Sequence, residues 1–149
     1  MDAIKFILQE HAQIRKSLTQ LKKYIQKDDK SAKTKFTRLT QFLVRHETME
    51  EKVWYPALRK EPNLKKIITL LVSEEKKASK AIKKIKTIHD DKKWNQQVLK
   101  LSLDVGHHAN DEEKKLFPKV RQLIDKDVLL TLGQRLRSYK AARKRGKTL

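Results

Sequence analysis

The sequence contains no cysteine and has little glycine, proline or aromatic side chain. Its 149 residues include three Gly and three Pro, and 6% are aromatic. The absence of cysteine excludes disulfides, iron–sulfur clusters and thiolate zinc sites. Scarce Gly and Pro, beside abundant Lys, Leu, Glu, Gln and Ala, predict a helical protein. The length suits a single domain with a hydrophobic core of its own.

Long apolar runs are also missing. The longest, residues 67–72, includes Thr69 and is far too short to span a bilayer. The first eleven residues lack a signal-peptide layout, because Lys5 interrupts a short apolar stretch. We therefore predict a cytoplasmic protein that makes no membrane contact.

The formal net charge is +19. Lys and Arg are spread over every segment and are interrupted by acidic clusters, which is typical of a solvated surface. Residues 140–147 form the one dense basic patch. We interpret it as a frayed tail, with weak binding of nucleic acid or another anion as the alternative.

Four segments carry apolar residues in alternating steps of three and four. The members of these stripes are Ile4, Ile7, Ile14, Leu18, Leu21 and Ile25; Phe36, Leu39, Leu43, Val53 and Ala57; Leu64, Ile68, Leu71, Ala78, Ile82 and Ile85; and Trp94, Val98, Leu101, Val105 and Leu116. Such stripes predict an all-α protein, an up-down-up-down four-helix bundle. We expect residues 1–125 to form the bundle. Residues 126–149 would add a short fifth helix, over 127–142, and a basic tail within the same domain.

Short polar connections separate the segments. They lie at residues 28–30, with Ser31 as a candidate N-cap, at 61–63 and at 89–91. Pro56 and Pro118 fall late in the second and fourth segments, and each removes a helical N–H donor. We expect each proline to kink its helix or end it.

One eleven-residue phrase occurs twice, at residues 46–56 and 108–118. Both copies read H-x-x-x-E-E-x-x-x-aromatic-P. On a helix, residues four apart lie on one face about one turn apart. Two such faces that meet inside a bundle would offer two imidazoles and two carboxylates to a common point, as in a buried dinuclear metal site.

Six ionisable residues occupy positions on the apolar stripes, namely His11, His46, Glu50, Glu75, His108 and Glu112. Burying a carboxylate costs several kcal/mol unless it is paired or binds a cation. Since the stripes contain no comparable Lys or Arg, we predict that these six side chains bind a pair of metal ions. The alternative is a core with ordinary buried histidines and glutamates at its edge. An all-imidazole and carboxylate set suits iron or manganese and permits zinc.

Neighbouring residues receive simpler interpretations. Trp54, Tyr55 and Phe117 would be core aromatics that also shield the site. His107 would face solvent or support a ligand, and His89 would lie at a helix end. The remaining acidic neighbours, Glu47, Glu51 and Glu113, would be surface charges.

These motifs resemble the hemerythrin-like (HHE cation-binding) family. The resemblance begins at Glu10 and His11, includes both phrases and extends to residues 132–140. It implies a four-helix bundle holding a non-haem di-iron centre. By this resemblance His11, His46 and His108 would be terminal ligands, whereas Glu50 and Glu112 would bridge the two irons.

The sequence departs from the family on the third helix. Family members commonly have a Glu-His pair there, but this chain has Glu74 and Glu75, so Glu75 stands where the ligating His is expected. Periodicity favours Glu75 over Glu74 as the ligand. Oxygen-carrying hemerythrins use H-x-x-x-H on the third helix and H-x-x-x-x-D on the fourth, and this chain has neither. An added carboxylate should favour ferric iron, which disfavours a reversible oxygen carrier.

The leading hypothesis is therefore a di-iron protein that handles O2, NO, peroxide or iron, for sensing, storage or detoxification. A peroxidase- or oxidase-type enzyme is a further hypothesis. The alternative from another class is a basic helical module that binds nucleic acid or an acidic partner and has a degraded metal site. The sequence pattern assigns no oligomeric state.

Overall fold

A computed structural model describes the backbone of residues 1–146 and the side chains of residues 1–143. The end of the predicted basic tail, residues 147–149, lies outside the described residues, as do the side chains of 144–146. Within the described part the chain is helical and contains no strand, so the predicted all-α class is confirmed.

The helices follow one another with short connections. They are α1 (Ala3–Gln26), α2 (Ala32–Met49), the π-helical turn π1 (Glu50–Trp54), α3 (Tyr55–Leu58), a 3-10 turn (Pro62–Leu64), α4 (Lys65–Ile85), α5 (Asp91–Asp111), the π-helical turn π2 (Glu112–Leu116), α6 (Phe117–Leu123) and α7 (Lys126–Gly146). Helix α1 contacts α2 and α5, and α4 contacts the same two helices. These contacts close a four-helix bundle, while α7 lies against α1, α2 and π1.

The helix starts follow local capping chemistry. The carboxylates of Asp2 and Asp90 accept hydrogen bonds from the backbone N–H groups of Lys5 and Lys93, each at 2.9 Å. These bonds satisfy donors that the first turn of a helix leaves free. Ser31 occupies the predicted N-cap position of α2, but its side chain makes no capping bond, and its own N–H donates to Asp29 at 2.8 Å.

The two prolines do not end their helices. Each follows a π-helical turn, in which the N–H of Tyr55 bonds to the carbonyl of Glu50 and that of Phe117 bonds to the carbonyl of Glu112. Proline is tolerated just after the turn, since it occupies the first turn of a new α-helical segment. The five-residue spacing brings each glutamate and the following aromatic residue to one face.

Two apolar clusters fill the core on either side of a polar layer. The first combines the N-terminal part of α1 with both π turns, the start of α4 and the apolar face of α7. The second combines the other ends of α1, α2, α4 and α5. In α1 the change from one cluster to the other falls between Ile7 and Ile14, with His11 between them. The predicted stripes thus pack as apolar layers, and their ionisable members lie at mid-height.

Helix α7 is longer than the 127–142 segment that the sequence predicts. Leu129, Leu132 and Leu136 are buried in the first cluster, whereas Val128 is 46% exposed. A close approach explains Gly133: a Cβ built there would lie 2.4 Å from the backbone oxygen of Met1. The assignment of residues 1–125 to the bundle and of residues 126–149 to the same domain stays a prediction.

No helix in the described part of the chain is long and apolar enough to cross a membrane. The cytoplasmic location stays a prediction.

Candidate metal centre

The structure brings all six predicted metal ligands into one buried layer. His11, His46, Glu50, Glu75 and Glu112 are at most 4% exposed, and His108 is 15% exposed. They come from all four bundle helices, and both bridging candidates begin a π turn. Their role as metal ligands stays a prediction.

These side chains form two groups of three. His11, His46 and Glu112 make one group, while Glu50, Glu75 and His108 make the other; in each group the donor atoms lie within 4.8 Å of one another. The groups adjoin, since Nε2 of His46 lies 3.0 Å from Oε1 of Glu50. Two adjacent three-donor groups are the arrangement that a dinuclear site needs.

Each imidazole turns its Nε2 atom towards an inner carboxylate. Besides the His46–Glu50 pair, Nε2 of His11 lies 3.1 Å from Oε1 of Glu112, and Nε2 of His108 lies 3.2 Å from Oε2 of Glu75. The common orientation leaves Nε2 as the inward donor of every histidine in the layer.

Each imidazole turns its Nδ1 atom towards a second, outer carboxylate. His11 Nδ1 lies 2.6 Å from Glu113 and His108 Nδ1 lies 2.9 Å from Glu74. The corresponding distance from His46 to Oε1 of Glu10 is 3.5 Å. A carboxylate on the outer nitrogen fixes the tautomer and ring orientation of a metal-binding histidine and raises its basicity. The outer carboxylates thus direct the inner nitrogens.

Sequence reasoning missed these outer carboxylates, and the assignment of Glu113 to the surface is wrong. Glu113 is 22% exposed and also accepts a 2.8 Å hydrogen bond from Arg15. Glu10 is buried and accepts a 2.7 Å hydrogen bond from Lys140 of α7. A signal was present, because each outer carboxylate is the chain neighbour of an inner residue. Each one contacts the histidine of a different helix.

Tyr55 is a further residue whose role the sequence did not reveal. Its hydroxyl donates to Oε2 of Glu112 at 2.7 Å and lies 3.2 Å from Oε2 of Glu75. Burial raises the pKa of Tyr55 well above its ordinary value, and the charge of Glu112 raises it further. The phenol therefore keeps its proton and links the two groups. A fully buried tyrosine needs a hydrogen-bond partner, which was the available signal.

Phe117 holds the equivalent position in the second phrase and has no hydroxyl. Its ring stacks on that of His11, with centroids 6.2 Å apart, and Trp54 packs on Phe117 edge to face. The predicted role of these aromatics as core residues that shield the layer fits these contacts.

The surface assignment of Glu47 is also wrong. Its side chain is 9% exposed and accepts a hydrogen bond from Ser79 at 3.1 Å. Burial, together with the charge of Glu75, raises the pKa of Glu47 to about 8. Glu51 is exposed, as predicted, and His107 is 69% exposed. His89 lies in the connection between α4 and α5, two residues before α5 begins.

The inner carboxylates crowd one another. Burial raises the pKa of Glu50 well above its ordinary value, and the charges of Glu112 and Glu75 raise it further. Burial opposes ionisation of Glu112 as well, but the contact with His11 outweighs it and lowers that pKa. Burial lowers the pKa of His108, yet its bond to Glu75 and the charge of Glu112 raise it to about 9.

A cation would satisfy atoms that the protein itself leaves without partners. Within residues 1–143 the buried side-chain atoms that make no hydrogen bond are His11 Nε2, His46 Nδ1, both oxygens of Glu50, Glu75 Oε1, Glu112 Oε1 and Trp54 Nε1. Trp54 Nε1 lies outside the layer and His46 Nδ1 faces Glu10, and the other five atoms belong to the inner donors of the layer. No lysine or arginine of the described side chains forms an ion pair with Glu50, Glu75 or Glu112. The donor set and its unmet bonds fit metal ions.

A cavity of about 290 Å³ leads to the layer from one side of the bundle. Apolar side chains from four helices line its walls, namely Ile14, Leu43, Ala78 and Val105. The polar side chains of the lining are those of His11, His46, Glu47, Glu74, Glu75, Lys77, Asp104, His107 and His108. The layer is therefore buried but reachable by a small molecule.

Fold and site together define a helical-bundle metal-binding protein. The family profile described as the hemerythrin HHE cation binding domain matches residues 2–120, and the chain belongs to this family. The match ends before α7, although the sequence resemblance was traced to residue 140. Comparisons with curated proteins and with solved structures gave no match.

Proposed function

We propose that this protein binds a dinuclear non-haem iron centre and uses it to handle O2, NO, peroxide or iron itself. His11, His46 and Glu112 would hold one metal ion, and Glu50, Glu75 and His108 the other. Iron, with manganese or zinc as alternatives, is the metal that this donor set and the family favour. An iron centre held by these residues would supply redox chemistry and an open coordination position.

The observation that carries the proposal is the set of buried donor atoms without partners. Glu50 is the clearest case, because it is fully buried and neither of its oxygens makes a hydrogen bond. An uncompensated buried carboxylate costs several kcal/mol. A pair of divalent cations would remove that cost at three carboxylates together.

The bridging roles of Glu50 and Glu112 are part of the proposal. Oε1 of Glu50 lies beside His46 of the other group. Glu112 contacts His11 through Oε1 and accepts a hydrogen bond at Oε2 from the Tyr55 hydroxyl, which also lies 3.2 Å from Oε2 of Glu75. Both glutamates therefore lie where the groups adjoin.

The residues around the cavity suit a small ligand rather than a large one. The cavity's volume of about 290 Å³ and its partly apolar wall leave room for a small molecule only. Tyr55 keeps its proton and presents its hydroxyl beside Glu112 and Glu75. Three inner carboxylates favour the ferric state, so oxidation, peroxide chemistry or iron holding is favoured over reversible oxygen carriage.

Anaerobic loading with Fe2+, followed by metal analysis, tests the proposal. We expect about two irons per chain, and retained iron should raise the thermal stability because metal binding is linked to folding. Glu50→Gln removes one buried charge at nearly constant shape and should lower the iron content. The matched control is Glu51→Gln, which changes the exposed neighbour and should retain the wild-type iron content.

The absorption spectrum of the loaded protein before and after exposure to oxygen reports on reactivity. A new charge-transfer band would show that the bound iron reacts with oxygen. An iron content near zero in the wild-type chain, or equal contents in Glu50→Gln and the wild type, would reject the site.

A further inference from the structure

A third group of possible metal donors lies outside the inner layer. Glu74 of α4 and His107 and Asp111 of α5 place one donor atom each within 4.8 Å of the others. Nε2 of His107 lies 3.2 Å from Oδ2 of Asp111. This outer group combines one imidazole with two carboxylates, a set suited to Fe2+, Mn2+ or Zn2+.

The outer group borders the cavity that reaches the inner layer. Glu74 and His107 line that cavity together with His46, Glu75 and His108. His107 is 69% exposed whereas His46 is 4% exposed, so the lining runs from solvent to the interior. Glu74 also touches the layer directly, since its Oε1 lies 2.9 Å from Nδ1 of His108.

The same cavity contains buried atoms that lack partners. His11 Nε2 and Glu75 Oε1 belong to side chains that line it, and each side chain is more than nine-tenths buried. These atoms are independent of the outer group and point to a cation as the species that travels inward. The cavity therefore connects a solvent-facing donor set to an interior one.

The negative charge of the outer group can attract a divalent cation. A divalent cation approaching a chain of net charge +19 meets a repulsive surface. Glu74 and Asp104 of the cavity lining, with Asp111 beside His107, supply negative charge against Lys77 in the lining and Lys115, whose Nζ lies 3.5 Å from Asp111. A local acidic mouth can raise cation concentration where the path begins.

We propose that Glu74, His107 and Asp111 form a weak, solvent-facing site for a divalent transition-metal ion, from which the ion passes through the cavity to the inner layer. The site is a loading site and holds no permanent metal. The inference rests on the proposed metal function of the inner layer. It adds a route and a set of residues that control the rate of loading.

Loading kinetics provide the first test. Metal-free protein is mixed anaerobically with low concentrations of Co2+, and the visible absorption of bound cobalt is followed by stopped flow. His107→Ala and Asp111→Asn should each slow loading by about tenfold or more, while the final metal content stays that of the wild type. His107 is exposed and Asp111→Asn keeps the side-chain shape, so neither change disturbs the core.

Two control variants separate the outer group from general effects. Asp104→Asn removes a charge from the cavity lining outside the group, and His89→Ala removes an exposed histidine elsewhere on the surface. His89→Ala should load at close to the wild-type rate, and Asp104→Asn, which removes a charge but no donor atom of the group, should slow loading less than either variant of the group. A wild-type rate in His107→Ala and Asp111→Asn would overturn the proposal. Equal slowing by Asp104→Asn would also overturn it, because charge alone would then explain the effect.

Equilibrium binding of Mn2+ provides the second test and does not require the inner layer to function. In the Glu50→Gln background, the free Mn2+ signal in electron paramagnetic resonance should reveal one weak site, which His107→Ala abolishes. A Mn2+ titration of the double variant identical to that of Glu50→Gln alone would overturn the outer site. If the inner layer binds no iron, only the proposed function is rejected, because the Mn2+ titration still reports on the outer group.

Discussion

The hydroxyl of Tyr55 donates a hydrogen bond to Glu112, and the two residues belong to different copies of the repeated phrase. The distance from the phenol oxygen to Oε2 is 2.7 Å, and Oε2 of Glu75 lies 3.2 Å from the same hydroxyl. Phe117 takes the corresponding place in the other copy and stacks on His11 instead. The repeat is thus symmetric in its histidines and glutamates and asymmetric in its aromatic residue.

Tyr55→Phe should destabilise the metal-free protein. The substitution leaves a buried, ionised carboxylate without its phenol donor, and a hydrogen bond to a charged group is worth about 1.5–3 kcal/mol. We expect the free energy of unfolding in urea to fall by that amount. Tyr139→Phe is the control, because its hydroxyl bonds Arg143 on the surface. Equal stabilities of Tyr55→Phe and the wild type would contradict the assigned bond.

Lys140→Met should weaken metal binding from outside the bundle. Lys140 holds Glu10 at 2.7 Å, and Glu10 lies beside Nδ1 of His46. Partners of this kind typically contribute about 10-fold to 100-fold to metal affinity, which a competition titration with a chelator would measure. Arg143→Met, one turn further along α7, should leave the affinity unchanged. Unchanged affinity in Lys140→Met would show that α7 has no part in the site.

Gly133→Ala and Gly106→Ala should shift stability in opposite directions. A Cβ on Gly133 would meet the backbone of Met1 at 2.4 Å, so the helix must move, at a cost of about 1–3 kcal/mol. A Cβ on Gly106 has no heavy atom within 4 Å. That substitution should stabilise α5 by about 0.5–1 kcal/mol, because alanine loses less backbone entropy. Thermal unfolding compares the pair, and a stable Gly133→Ala variant would contradict the close packing of α7.

Asp2→Asn should remove a pH-dependent part of the stability. Burial opposes ionisation of Asp2, but the Lys5 N–H and Arg121 outweigh it and hold the pKa below 3.8. A carboxyl group whose pKa is lower in the folded than in the unfolded protein stabilises the fold at any pH above its unfolded-state pKa. That stabilisation is lost as the pH falls through the pKa of the folded state. At neutral pH the free energy of unfolding of the wild type should therefore exceed that of Asp2→Asn by about 0.3–1 kcal/mol, as expected for a negative charge at a helix N-terminus.

Chemical unfolding from neutral pH to well below 3.8 measures this difference. The two stabilities should converge at the acid end, since both side chains are then neutral. Asp104→Asn, an exposed change within α5, should show a small and constant difference. A difference between Asp2→Asn and wild type that grows on acidification would contradict the capping role.

Periodicity alone predicts the inner layer. His11, His46 and Glu50 continue stripes whose other members are apolar, so the spacing that places a leucine in the core places these side chains there too. Glu75 was favoured over Glu74 for the same reason, and it is 1% exposed. The all-helical class and the order of the helices follow from the same pattern.

The outer carboxylates could not be predicted in this way. Each contacts the histidine of a neighbouring helix, and that contact depends on how the helices are rotated against each other. Glu113 illustrates the difficulty, since its own helix gives it a solvent-facing position while His11 and Arg15 of α1 cover it. Glu10 depends in the same way on Lys140, which lies at the far end of the chain.

The π turns allow the helices to differ in length by one residue at a defined place. Each turn contains one residue more than the α-helical ladder requires, and its wider ring of backbone absorbs that residue, so that Glu50 and Tyr55 share a face although they are five positions apart. Deleting Lys52 would leave them four positions apart, and an ordinary α-helical turn would then keep Trp54, Tyr55 and Leu58 facing the core that buries them. The same deletion in the regular part of a bundle helix would turn every residue beyond it by about 100°, so the repeated phrase tolerates the loss of one residue where the rest of the helix does not.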